Sequence, residues 1–277
     1  MNPGRSAAVA MAVSFPPQRA SEAVRRRVEE AAGRALEAVL ADEGFAREGA
    51  QLVRRARGVV EVVEVQHSIY GGRVTANLGL DLVFLRPLVR WVPRPSLGPH
   101  AHDCVRWLRV GLAGEQRGDR WWTYEAEDPA SIAAAAASLA EEVAGPGRGW
   151  LVRERTPAAF LAHAERAVER SRSRAQPDGG YLELRLLAAV HAWRGDFERG
   201  REVCRVAGCS WEGERARLVP ARTIYRRRHP AAAARLPPVP PLQRELERLT
   251  EPTTGARILR RAGVEPPPRR SSRSGSR

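Results

Sequence analysis

Lysine does not occur in this chain; all 46 of its basic residues are arginine. With the heavy use of alanine, that points to a GC-rich coding genome, bacterial by expectation. It also governs how the net charge of +14 is read, because part of the arginine stands where lysine would otherwise sit on a solvated face. Cysteine is scarce too. Cys104, Cys204 and Cys209 form no disulfide framework. They read as reduced thiols buried like small hydrophobes, which favours the cytoplasm. No apolar run approaches the length of a membrane span, so no membrane partner is expected. The run Ala7 to Phe15 after Arg5 is short for a secretory signal, lacks a convincing cleavage site and runs into Pro16-Pro17. Met11 is an alternative start that would leave residues 1–10 without meaning.

Local catalytic signatures are also missing. There is no nucleophile elbow, no phosphate-cradling glycine loop and no pair of carboxylates in a clear catalytic context. This weighs against an enzyme without excluding one, since active sites need not show local motifs. No cofactor is implied.

The positive charge is unevenly placed. Residues 1–150 hold 19 arginines against 18 acids, residues 151–210 hold 11 against 8, and residues 211–277 hold 16 against 6. A footprint for a polyanion would therefore lie in the C-terminal quarter.

Along the chain, Ser21 caps a helix running to about Asp42, with Val24, Val28, Ala31, Ala35 and Val39 on its apolar face. Gly44 ends it and Phe45 packs back. From Gln51 to Gln66 the pattern changes to strand: Val59, Val60, Val62, Val63 and Val65 are β-branched, and Arg57-Gly58 is a hairpin turn. Gly71-Gly72 makes a second turn, Val74 to Leu82 a third strand and Val105 to Leu112 a fourth. Asp128-Pro129 and Thr156-Pro157 each start a helix, and Gly145 stops the first of these. Residues 179–207 read as a helical hairpin that turns at Gly195-Asp196.

These pieces, in this order, resemble the family called domain of unknown function 4304. The resemblance covers roughly residues 25–165. Its elements are the helix ending Glu43-Gly44-Phe45, the strand with Arg54-Arg55, and the strand closing on Val65-Gln66-His67-Ser68. Then come Asn77-Leu78-Gly79, the stretch Cys104 to Gly111, and Asp119-Arg120-Trp121-Trp122 before the final helix. The resemblance implies an α+β domain and transfers no activity.

The expected fold is α+β: an antiparallel sheet of four or more strands packed against helices, with a helical C-terminal extension. The expected divisions are a flexible N-terminus at 1–20, the α+β domain at 21–170, a helical extension at 171–229, and a Pro/Arg-rich linker with a disordered basic tail at 230–277. Within the last, Leu242 to Leu249 has the pattern of a short charged helix.

Candidate binding residues are Gln66, Asn77, Asp119, Arg120, Trp121 and Trp122. Each indole of the tryptophan pair buries about 150–250 Å² when packed. That contributes about 4–6 kcal/mol as an upper figure, so a fold does not readily leave both in water. On a strand the two rings point to opposite faces, one into the core and one outward. The mid-strand amide of Asn77 must be hydrogen-bonded if buried. Gln66, Asn77, Asp119 and Arg120 either brace the sheet or converge at its end to bind something polar. His100-x-His102-Asp103-Cys104 carries metal-type side chains, but no second ligand cluster completes a site and the prolines around it suggest a surface loop, so no metal is expected. Arg226, Arg227 and Arg228 are candidates for polyanion contact. The leading functional reading is a non-enzymatic binding or interaction module with an unidentified protein partner. The alternatives are nonspecific nucleic-acid association through the C-terminal region, and an enzyme with a polar site at one end of the sheet.

Overall fold

The computed structural model describes residues 21–85, 100–114, 118–173, 181–207 and 242–264. Helix α1 (Glu22–Leu40) opens at Ser21, whose Oγ accepts from the Val24 amide at 3.3 Å. Its buried stripe is Val24, Val28, Ala32, Leu36 and Leu40. The stripe read from the sequence holds at Val24 and Val28 and then lies one position off: Ala31 and Ala35 sit at the margin of the core and Val39 is exposed. Leu36 and Leu40 keep the same four-residue spacing and bury more apolar area, so they set which side turns inward.

Six strands make one antiparallel sheet. They are β1 (Ala46–Glu48), β2 (Gln51–Ala56), β3 (Val59–His67), β4 (Arg73–Leu82), β5 (Arg106–Arg109) and β6 (Trp122–Thr123). The order is β1-β2-β3-β4-β5, and β6 pairs with the start of β4 next to the stretch that β5 covers. Arg57 (φ 50°) and Gly58 (φ 80°) turn β2 into β3. Both central residues are left-handed, which matches the twist of a two-residue hairpin. The strand expected from Val105 to Leu112 is shorter. After Arg109 the chain turns through Val110–Leu112, and the Gly111 carbonyl accepts from the Gly118 amide at 3.3 Å.

Asp128 caps α2 (Pro129–Glu142), its Oδ1 accepting from the Ala130 amide at 2.8 Å. Gly145 does not stop this helix. The backbone widens into a π turn over Val143–Gly147, which accommodates Pro146 and its missing N–H, and resumes as α3 (Arg148–Glu154). Then come α4 (Pro157–Ser173) and α5 (Tyr181–Trp193), followed by a helix over residues 197–207 (α6).

The segment read as linker and disordered tail is corrected in part. Residues 242–264 fold as α7 (Leu242–Thr250) and α8 (Pro252–Arg261), and Leu246, Leu249, Leu259 and Val264 are buried in the main core. The cause is apolar spacing plus a third start signal: Glu251 accepts from the amides of Thr253, at 2.9 Å, and Thr254, ahead of Pro252 at the first helical position. Trp193 of α5 meets Phe84 and Phe160 edge-on, with centroids 5.9 and 5.7 Å away, so the C-terminal helices share the core of the sheet domain.

Strand alternation gives the sheet two unlike faces. The inner face carries Leu52, Val63, Val74, Leu78 and Leu80 against the helices. It also buries Glu61, held by Arg54 at 2.5 Å and by Arg155 at 3.3 Å. On the outer face Val53, Val60 and Val62 cluster with Ala101 of a short 3-10 turn (Ala101–Asp103), with Cys104 that follows it, and with the half-buried Val83. Among the described residues no helix is long and apolar enough to cross a membrane.

Candidate functional site

The outer face holds a row of polar side chains. Pairing places Gln51 of β2 opposite Glu64 of β3, Glu64 opposite Asn77 of β4, and Asn77 opposite Arg109 of β5. These four residues therefore run straight across four strands. Gln66 and Thr75 face each other one step along the same side. Asn77 Nδ2 donates to Gln66 Oε1 at 2.8 Å, and Thr75 Oγ1 donates to the Arg120 carbonyl at 3.0 Å. Among the described residues Asn77 Oδ1 is buried without a hydrogen-bond partner.

The tryptophan pair divides as its alternation requires. Trp122 pairs with Val74 on the inner face and is buried in the main core. Trp121 is half-buried, with the Arg109 guanidinium 4.8 Å from its ring centroid. Arg109 is also ion-paired to Asp119, whose hydrogen bond from Arg109 lowers its pKa below the usual carboxylate range. Two residues before Arg109 on β5, Trp107 is half exposed at 50 %.

The six candidate residues do not converge on one pocket. Gln66 and Asn77 touch, and Arg109, unflagged by the sequence, stands between Asn77 and the Asp119–Trp121 pair. Arg120 turns aside: it lies 5.2 Å from the Trp122 ring centroid and donates to Glu142 at 2.6 Å. Trp122 belongs to the core. Arg226, Arg227 and Arg228 lie outside the described residues.

At the other end of the row the 3-10 turn sits on β4 above Gly79. A Cβ at Gly79 would lie 2.7 Å from Cys104 Sγ and 2.8 Å from Ala101 Cα, so only glycine admits this approach. The turn carries His100 and His102 to Glu64. Glu64 Oε1 is 2.6 Å from His100 Nδ1, and Glu64 Oε2 accepts from the Ala101 amide at 2.9 Å and lies 3.7 Å from His102 Nδ1. The two imidazoles stack with centroids 5.4 Å apart. Gln51 Nε2 is 2.9 Å from His100 Nδ1. Glu64, like Arg109, is a residue sequence reasoning missed. Its only signal was outward parity with Gln66 in a strand otherwise rich in valine.

An antiparallel sheet, backed by helices on its inner face and crossed by a largely buried polar row on its outer face, defines an α+β domain. Residues 36–146 match the family model described as Domain of unknown function (DUF4304), so this stretch of the chain is similar to that family. No curated protein and no solved structure matches the chain. The polar row, the histidine turn and the tryptophan pair all lie inside the matched residues; α4 and everything after it lie outside.

Proposed function

We propose that the α+β domain is a non-enzymatic binding module that takes a protein partner on its outer sheet face around Trp121. The observation that carries this is the division of the tryptophan pair: Trp122 serves the core, while Trp121 stays partly exposed under Arg109, two residues along β5 from the half-exposed Trp107. Aromatic and arginine side chains of this kind anchor protein interfaces. The β3–β4 connection adds Ile69 and Tyr70, 73 % and 65 % exposed. The fitting partner is a protein segment offering an apolar side chain to Trp107. The buried Cys104 and Cys204, neither in a disulfide among the described residues, support a reducing compartment, and hence the cytoplasm.

The test compares quantitative affinity capture by the wild-type chain, the double variant Trp107→Ala/Trp121→Ala and a control, Arg34→Ala, on the far helix. Partners held by the wild type and the control should be lost from the double variant, with its unfolding midpoint little changed. An unchanged set of captured proteins would remove the assignment.

The nucleic-acid reading rests on the charge of residues 211–277 alone, and no structural observation favours it. The enzyme reading loses support because Arg120 turns away from Gln66 and Asn77.

A further inference from the structure

We propose that Glu64, His100 and His102 form a binding site for a divalent transition-metal ion of the zinc class. The three residues lie at the β2–β3 end of the polar row, away from Trp121 and Arg109. One ligand atom from each residue lies within 4.8 Å of the others. A zinc ion with bonds of about 2.0–2.1 Å holds tetrahedral ligand atoms about 3.4 Å apart. The present spacings, 2.6 Å from Glu64 to His100 and 3.7 Å from Glu64 to His102, bracket that value. Small side-chain rotations therefore suffice to close the set around an ion.

Two imidazoles and a carboxylate form a nitrogen-rich set. It suits zinc, copper or nickel and not the hard cations magnesium and calcium, which prefer oxygen alone. Three protein ligands leave a fourth position for water.

A second observation points to a ligand here. Gln51 is 5 % exposed and its amide end reaches His100, yet among the described residues Gln51 Oε1 is buried with no hydrogen-bond partner. A buried acceptor left unpaired costs about 1–3 kcal/mol, and a water on the metal would donate to it. The surroundings also hold the ligands in place, as metal sites require. The Ala101 amide fixes Glu64 Oε2, Cys104 Sγ donates to the His100 carbonyl at 3.4 Å, and Gly79 lets the whole turn seat on the sheet. The sheet supplies one ligand and the turn supplies two across 36 residues of sequence. No local spacing motif announces the site.

The test is titration of the chelator-treated full chain with zinc chloride by calorimetry, with cobalt(II) absorption as the spectroscopic probe. One equivalent should bind, and zinc should raise the unfolding midpoint. His102→Ala is the decisive variant, because the His102 side chain is 41 % exposed and its loss does not open the core. It should weaken binding tenfold or more, as should Glu64→Gln and His100→Ala. The cobalt spectrum should show nitrogen and oxygen ligation without a thiolate charge-transfer band. Full-affinity binding by folded His102→Ala, no binding by the wild type, or a thiolate band from cysteine ligation would each overturn the assignment.

Discussion

Trp121 and Trp122 are neighbours in sequence and opposites in role, and the strand period alone separates them. Trp122 lies beneath the helices with Val74, whereas the Trp121 ring meets the Arg109 guanidinium at the surface. Their truncations should therefore differ. Trp122→Ala leaves a large cavity in the main core and should cost about 3–5 kcal/mol. Trp121→Ala removes a partly solvated cation–π contact and should cost about 1 kcal/mol or less. Urea unfolding of the two variants measures the gap; equal losses would mean that both rings are structural and would empty the outer face of its anchor. At this scale the sequence was partly legible. Two-residue alternation said that one ring goes in and one comes out, and pairing to Val74 decides which. Arg109 was not legible as a site residue, because its partners Asp119 and Trp121 come from a separate segment beyond the turn at Gly111. Glu64 escaped for the same reason: its histidines arrive from 36 residues downstream.

Elements were easier to read where a backbone requirement marks them. The Arg57-Gly58 hairpin and the capped starts at Ser21, Asp128 and Thr156 are all present, since each satisfies a local steric or hydrogen-bonding need. Ends were harder. Gly145 reads as a stop, but the π turn carries the helix past Pro146, because packing of the next turn against the sheet outweighs one lost backbone bond. The largest departure is α8, together with the burial of α7, whose helix over Leu242 to Leu249 the sequence pattern does show. The proline- and arginine-rich composition around them masks a short amphipathic pair whose start signal, Glu251-Pro252, repeats that of Asp128-Pro129. These helices belong to the core of the molecule. Leu246 and Leu259 are wholly buried, and Val264 packs against the β2–β3 turn, where a Cβ on Gly58 would stand 2.2 Å from its Cγ2. Leu246→Ala and Leu259→Ala should each destabilise the whole chain by about 2–5 kcal/mol in a single unfolding transition. A separate, weaker transition for the C-terminal helices would show instead that they unfold alone.

For the whole molecule, the response to pH follows from where its histidines sit. Among the described residues, three have their basicity lowered by burial: His67 beneath α1, His191 on α5 and His163 on α4. His163 is pushed furthest, to about 4. Burial dominates there, and the charges of Arg106 on β5 and of Arg170 and Arg166 on its own helix add to it, with Glu154 opposing. In the unfolded chain a histidine accepts a proton near its ordinary value of about 6.5. Between that value and about 4 the unfolded chain therefore binds more protons than the folded one, so stability falls as pH falls through this window. Depressed carboxylates act in the same direction lower down. Asp119 is held by Arg109, and Glu154, though burial opposes it, is held by Arg106; both lose their contribution as they protonate. The arginine-only charge adds to the effect, because every basic partner stays protonated while the acids are neutralised and net positive charge grows. The urea midpoint should therefore be highest near neutrality and drop steadily from pH 7 to pH 4.5. His163→Gln keeps a polar side chain that does not titrate, so its drop over the same range should be visibly shallower. Parallel curves for variant and wild type would move the origin of the acid sensitivity away from the α4 packing surface.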